Sequence, residues 1–135
     1  MSDDPAGSGF RARPRRQADR AEATERLFAE LARLRSRLDR AARDGHDGFV
    51  APDSDGFDIG ALAIINLADL VVRELPSDVV AALPERMVEG LRATRNIAAH
   101  NYAALDNTRL WMTVTVHAPA LIDDIEAALR TPPPG

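Results

Sequence analysis

One eight-residue stretch, Arg95-Asn96-Ile97-Ala98-Ala99-His100-Asn101-Tyr102, concentrates the groups that could do chemistry in this chain. It contains a guanidinium, an amide, an imidazole and a phenol within about two helical turns. A histidine can transfer a proton near neutral pH, because its ordinary pKa is about 6.5. An arginine can stabilise the negative charge that builds up on phosphoryl oxygens. The stretch is therefore a candidate site for phosphate chemistry.

A helix would not aim all these groups at one point. Asn96 and His100 are four residues apart and share a face, whereas Arg95 and His100 are five apart and diverge by about 140°. Three arrangements would reunite them: a curled arginine side chain, a distorted helix, or a second copy of the chain across a two-fold interface. We favour the second copy, and so expect a homodimer.

A purely structural interpretation of the same residues stays open. In it the stretch is a helix end, where Arg95 pairs with a carboxylate and His100 binds terminal carbonyl groups. Tyr102 would then pack as an amphipathic side chain. His46, in a Gly-Asp segment, is interpreted as a surface residue, and His117 as a structural histidine.

The elements around this stretch are predicted to be helical. Hydrophobic residues make up 45% of the 135 residues and aromatic residues only 4%, a balance that favours helices over a sandwich or barrel. The predicted fold is an all-α antiparallel bundle of four helices, or up to five. We expect a disordered basic tail over residues 1–14, one helical domain over 15–130 and a proline-rich tail over 131–135.

Periodicity places the individual helices. Leucines recur at spacings of three and four from Leu27 to Leu38, which predicts a long amphipathic helix from about Arg15 to Asp44. Three glycines and a proline predict a loop over residues 45–57. The remaining helices are predicted over 58–74, over 79–83, from Pro84 through the candidate site, and from a cap at Asn107 or Thr108 to about Arg130.

Composition also excludes some classes of protein. The chain has no cysteine, so disulfides and thiolate metal sites are excluded. No run of about 18 apolar residues is present, and we expect a cytoplasmic protein. Residues 11–43 carry eleven arginines against five acids, whereas residues 44–135 carry six against fourteen. The basic segment could attract phosphate backbones, although a solvated helix face is the simpler interpretation.

The chain resembles the HEPN superfamily, specifically its HepT-like toxin branch, in one signature. Asn96 follows Arg95 directly, His100 comes four residues after Asn96, and Tyr102 comes two residues after His100. The following chain is similar as well, with an acidic turn at residues 103–107, an early Trp111 and a later Pro-Ala-Leu step. One feature differs: Asn66-Leu67-Ala68-Asp69 stands where the family's second helix usually has a Gly-Glu-Ala-Ala-like step.

This resemblance implies a function and a set of site residues. It implies a metal-independent endoribonuclease toxin that needs no cofactor and cleaves RNA by attack of the 2′-hydroxyl, leaving a cyclic phosphate. It implies Arg95 and His100 as catalytic residues and Asn96 as an auxiliary one, in a cleft between two subunits. It also implies a partner, a minimal nucleotidyltransferase antitoxin that adds AMP to Tyr102.

Two other functions remain open from the sequence. The chain could be a non-catalytic HEPN-like accessory or nucleotide-binding subunit of a nucleotidyltransferase, in which Arg95 and His100 bind a phosphate without cleaving RNA. A DNA-binding regulator that uses the basic first helix ranks below both, because no helix-turn-helix pattern is present.

Overall fold

The structure is a computed structural model that describes the backbone of residues 5–132 and the side chains of residues 17–101 and 103–132. The chain divides into two compact units, residues 1–30 and residues 31–135. Helix α1 (Pro5–Ala41) supplies the described part of the first unit and the beginning of the second. It begins at Pro5, earlier than the predicted Arg15. The predicted tails include residues 1–4 and 133–135, which lie outside the described residues, and the domain boundaries stay a prediction.

The second unit is built from helices and short turns. After α1 come α2 (Gly45–Val50), α3 (Asp55–Arg73), α4 (Ser77–Ala81), α5 (Glu85–His100), a 3-10 turn (Tyr102–Ala104), α6 (Asn107–Met112), a π-helical turn (Thr113–His117) and α7 (Ala118–Arg130). Residues 5–132 contain no strand. The prediction of an all-α bundle is therefore confirmed.

Local sequence signals set several helix ends. Gly45 adopts a φ of +74°, a left-handed conformation that glycine tolerates, and so separates α1 from α2. The Ser54 side chain accepts a hydrogen bond from the Phe57 N–H and caps α3. For α6 the predicted caps, Asn107 and Thr108, are wrong: Asp106 caps the helix and accepts from the Arg109 N–H at 2.9 Å.

Residues 45–50 correct the prediction of a continuous loop over 45–57. They form α2, which buries Phe49 against the rings of Phe57 and Trp111, with ring centroids 5.8 and 5.2 Å away. Glycine and aspartate are poor helix formers, so composition favoured a loop. Packing of one aromatic side chain outweighs that propensity here.

The core of the second unit lies along α3. On α1 the predicted stripe is confirmed, because Leu31, Leu34 and Leu38 are all buried. On α3 the buried residues cover about half of the helix circumference; they are Gly60, Ala61, Ala63, Ile64, Leu67, Ala68, Leu70 and Val71. This wide buried face makes α3 the helix against which α2, α5 and α6 pack.

A polar contact joins α1 to α7 beside this core. The Arg35 guanidinium donates to Asp123 at 2.7 Å and to Glu126 at 3.0 Å. The hydrogen bond to Asp123 is the main reason that the pKa of Arg35 is raised. Because the side chain is about one-third exposed, the pairs contribute no more than about 1 kcal/mol each.

The π-helical turn replaces a regular α-helix immediately before Pro119. Proline has no N–H to donate to a carbonyl one turn earlier, and a wider turn accommodates that loss. Thr113 and Thr115 donate their hydroxyl hydrogens to the carbonyl groups of Arg109 and Trp111. Residues 113–117 lie within the segment that the sequence predicts as one helix ending at about Arg130, and they are helical.

In the part of the chain that the structure describes, no helix is long and apolar enough to cross a membrane.

Candidate active site

Helix α5 carries the candidate site, and its buried face determines where the polar side chains lie. Leu91 and Ala98, seven residues apart on one face, are buried. Arg95 lies four residues after Leu91, beside this face, and is half-buried. Asn96 and His100 share another face, which is exposed. The helix therefore holds the arginine against the protein and presents the amide and the imidazole to solvent.

Arg95 is held by two side chains. Its Nη2 lies 3.2 Å from Oδ1 of Asp69 on α3, and its Nη1 donates to Oδ1 of Asn96 at 3.5 Å. The side chains of Arg95 and Asp69 are 34% and 36% exposed, so the pair is neither buried nor fully solvated. The contact fixes the direction of the guanidinium and leaves further N–H groups for another acceptor.

A small cleft of about 250 Å³ surrounds this pair. It lies between α3 and α5 and is lined by Ala68, Asp69, Val72, Arg73, Arg92, Arg95 and Asn96. Three of these residues are arginines and one is an acid. The cleft is smaller than a typical drug-sized ligand site, but it has the charge and donors to hold a phosphate group.

His100 does not line this cleft. It is the last residue of α5, and the next residue, Asn101, ends the helix with its N–H bonded to the Ile97 carbonyl at 2.8 Å. Tyr102 begins the 3-10 turn, and its side chain lies outside the description. One chain therefore brings Arg95 and Asn96 together and leaves His100 apart, as the helical spacing predicted.

Sequence reasoning missed Asp69 as a member of the site. The pairing of Arg95 with a carboxylate was foreseen, but only as part of the structural interpretation and without naming the acid. Asp69 stands in the segment that departs from the family pattern, within the run from Ala61 to Val72, whose only other polar residue is Asn66. An isolated acid on such a helix was the available signal, because it must face solvent or a cation.

The other two histidines lie elsewhere. His46 is exposed, as predicted, and its ring meets that of Trp111 edge-on at 5.5 Å. His117 is also exposed, in contrast to its interpretation as a structural histidine, and lines a separate groove between α5 and the segment α6–α7. Among the described residues, no group of three or more His, Cys, Asp and Glu side chains could hold a metal ion.

Part of the chain matches a known protein family. Residues 63–128 match the model of the HepT-like family, described as ribonuclease HepT-like. Neither the curated proteins nor the solved structures gave a significant match. The matched segment includes α5 and the whole stretch from Arg95 to Tyr102. Over residues 63–128, which form the greater part of its all-α second unit, the chain is therefore similar to the HepT-like ribonuclease family.

Proposed function

We propose that the protein is a metal-independent endoribonuclease toxin whose active site is centred on Arg95 and His100. The observation that carries this proposal is the position of Arg95. It lies within a segment of the HepT-like ribonuclease family, in a cleft lined by three arginines. In the reaction, the 2′-hydroxyl of the RNA attacks the adjacent phosphorus and the bond to the 5′-oxygen of the next nucleotide breaks. The products are a 2′,3′-cyclic phosphate and a 5′-hydroxyl.

The roles of the side chains follow from their chemistry. Arg95 binds the phosphoryl oxygens and stabilises the charge that develops on them. His100 takes up the 2′-hydroxyl proton or donates one to the leaving oxygen. Asn96, which contacts the Arg95 guanidinium and shares its face with His100, orients the arginine or the phosphate. Each of these roles needs only a side chain of the protein.

A homodimer would complete the site. Within one chain, Arg95 lines the cleft and His100 does not. Two exposed aliphatic side chains lie beside the cleft on α3. Val72 lines the cleft and is 59% exposed. Leu62 lies seven residues before Asp69 on the same face and is 55% exposed. Exposed aliphatic side chains next to a polar cleft are typical of a subunit interface. We infer that a second copy covers this face and brings its His100 to the cleft.

The toxin would be controlled by a minimal nucleotidyltransferase antitoxin that adds AMP to Tyr102. Tyr102 is two residues after His100 and is the only tyrosine of the chain. An AMP group there would place a bulky anion beside the catalytic histidine and repel the phosphate of RNA. This control would make the activity depend on the partner without any change in the fold.

Expression in a bacterial host tests the proposed activity. Wild type is expected to arrest growth and to produce new RNA ends with cyclic phosphates. Arg95→Ala and His100→Ala should each lower cleavage by about 10²- to 10⁴-fold. Arg86→Ala is the matched control, since it removes an exposed arginine of the same helix that lies outside the cleft. Intact RNA with wild type in the absence of any antitoxin would contradict the proposal.

Two observations favour a second candidate function, the non-catalytic accessory subunit. Asp69 already neutralises part of the charge of Arg95, and His100 lies outside the cleft. Such a cleft could bind a nucleotide phosphate without cleaving RNA. In that case His100→Ala would leave growth and partner binding unchanged, and Arg95→Ala would weaken nucleotide binding alone.

A further inference from the structure

A second and larger concavity lies on the other side of α5. It is a groove of about 710 Å³ between α5 on one wall and α6, the π-helical turn and the start of α7 on the other. Helices α5 and α6 each pack against α3, and the groove occupies the space between them. The floor is apolar and includes the buried side chains of Leu91, Leu110 and Leu121. Neither Arg95 nor His100 lines it.

Two apolar side chains on the rims of the groove are open to solvent. Ile97 on α5 and Met112 on α6 are 42% and 41% exposed, and both line the groove. The α5 wall extends from Arg86 to Ile97, which corresponds to about 17 Å of helix, or three turns. A ligand lying on the floor alone would leave these rims exposed, whereas a helix lying in the groove would cover both.

Gly90 gives the α5 wall a flat surface at its centre. A glycine inside a helix lowers helix propensity compared with alanine. Among the described residues, no atom other than those of the adjoining residues and the local helix backbone lies within 4 Å of the position where its Cβ would be. Internal packing therefore does not require a glycine here. A helix that crosses α5 closely at this point would require one, because a side chain would occupy the space of the incoming backbone.

The charged side chains that line the groove indicate which kind of partner it would bind. Arg86 and Arg109 line it and are exposed, and His117 lies in the same lining. Asp106 also lines it, but its carboxylate caps α6 by accepting from the Arg109 N–H. This basic rim contrasts with the acidic composition of residues 44–135. A partner with acidic residues beside its apolar face complements it.

We propose that this groove binds an amphipathic helix of about three turns from a partner protein, with an aliphatic face on the floor and acidic residues towards Arg86 and Arg109. Apolar side chains at positions i, i+4 and i+7 of the partner helix would meet the floor, as in other helix-in-groove complexes. This interaction is independent of the ribonuclease proposal, because it uses none of the residues of the Arg95 cleft.

Two synthetic peptides test the proposal on the full chain. Both are stapled 14-residue helices with leucines at i, i+4 and i+7, and one carries glutamates where the other carries lysines. Fluorescence anisotropy should show the glutamate peptide binding at least about tenfold more tightly than the lysine peptide. Gly90→Leu should lower the affinity for the glutamate peptide by at least about tenfold. The open space at Gly90 leaves the fold intact, and circular dichroism checks this.

A charge reversal separates specific docking from hydrophobic adhesion. The double variant Arg86→Glu, Arg109→Glu should bind the lysine peptide better than the glutamate peptide. Equal binding of both peptides, or binding that Gly90→Leu leaves unchanged, would overturn the proposal. Two other occupants would overturn it as well: a second copy, if Gly90→Leu converts a dimer into a monomer, and a lipid, if sodium decanoate binds where both peptides fail.

Discussion

Asp69 lies 3.2 Å from the guanidinium of Arg95, so the cation at the centre of the candidate site already has an anionic partner. The contact joins α3 to α5 and sets the direction in which the remaining N–H groups of Arg95 point. The same carboxylate repels any phosphate that enters the cleft. The pair therefore lowers the affinity of the cleft for phosphate while it orients the Arg95 guanidinium. Steady-state kinetics can separate these two effects.

Asp69→Asn removes the negative charge and keeps a side-chain oxygen near Arg95. We expect the KM for RNA to fall by about two- to tenfold, because the repulsion of phosphate is lost. We expect kcat to fall as well, because the neutral contact holds the guanidinium less firmly. The free energy of unfolding should change by less than about 1 kcal/mol, since the pair is one-third exposed.

Steady-state cleavage of an RNA oligonucleotide measures both constants. Asp123→Asn is the matched control, since it weakens the pair between Asp123 on α7 and Arg35 on α1 and leaves the cleft unchanged. A variant Asp69→Asn with wild-type KM and kcat would mean that the ion pair has no part in substrate binding.

Leu62→Glu tests the proposed subunit interface on α3. The leucine is 55% exposed and lies on the face of Asp69 without lining the cleft. A glutamate there should separate the subunits, because a charge in an apolar interface loses its hydration. Sedimentation velocity should show a monomer, and RNA cleavage should fall by at least about a hundredfold.

Val116→Glu provides the control for this change. Val116 is a similarly exposed aliphatic residue, 48% exposed, in the π-helical turn. It should leave the dimer and its activity intact. A dimer that tolerates Leu62→Glu and dissociates with Val116→Glu would move the interface away from the Arg95 cleft.

Tyr102→Phe tests the proposed site of modification. The variant keeps the aromatic ring and removes the hydroxyl that would receive AMP. We expect it to cleave RNA within about threefold of wild type, because the proposed chemistry uses Arg95 and His100. With the nucleotidyltransferase and labelled ATP, wild type should gain the label and the variant should not.

The growth phenotype of this variant is a separate measurement. A host that also expresses the nucleotidyltransferase should survive wild type and should be killed by Tyr102→Phe. Label on Tyr102→Phe would place the modification on another residue, since the chain has no second tyrosine.

The sequence predicted the parts of the fold that depend on local pattern. Three features indicate a helix by themselves: the leucine spacing of α1, the wide apolar face of α3 and the proline that precedes α5. Helix α2 could not be predicted this way, because a glycine-rich segment is helical only through the packing of Phe49 on Trp111. The cap of α6 differed by one residue, since three neighbouring polar side chains suit that position.

Only some features of the candidate site could be predicted from the sequence. Helical spacing predicted that Arg95 and His100 diverge, and His100 does not line the cleft that contains Arg95. The pairing with Asp69 depends on the register between α3 and α5, which no local pattern specifies. The groove beside Gly90 depends on the separation of α5 from α6, so it could not be predicted from local sequence either.

Mixing two inactive variants tests the central claim most directly. If the site combines Arg95 of one subunit with His100 of the other, a heterodimer of Arg95→Ala and His100→Ala contains one complete site. Refolding the two variants together in equal amounts makes half of the dimers heterodimers, so the mixture should recover about a quarter of wild-type RNA cleavage. Each variant alone should remain inactive. A mixture as inactive as its components, with heterodimers present by native mass spectrometry, would contradict a site shared between two subunits.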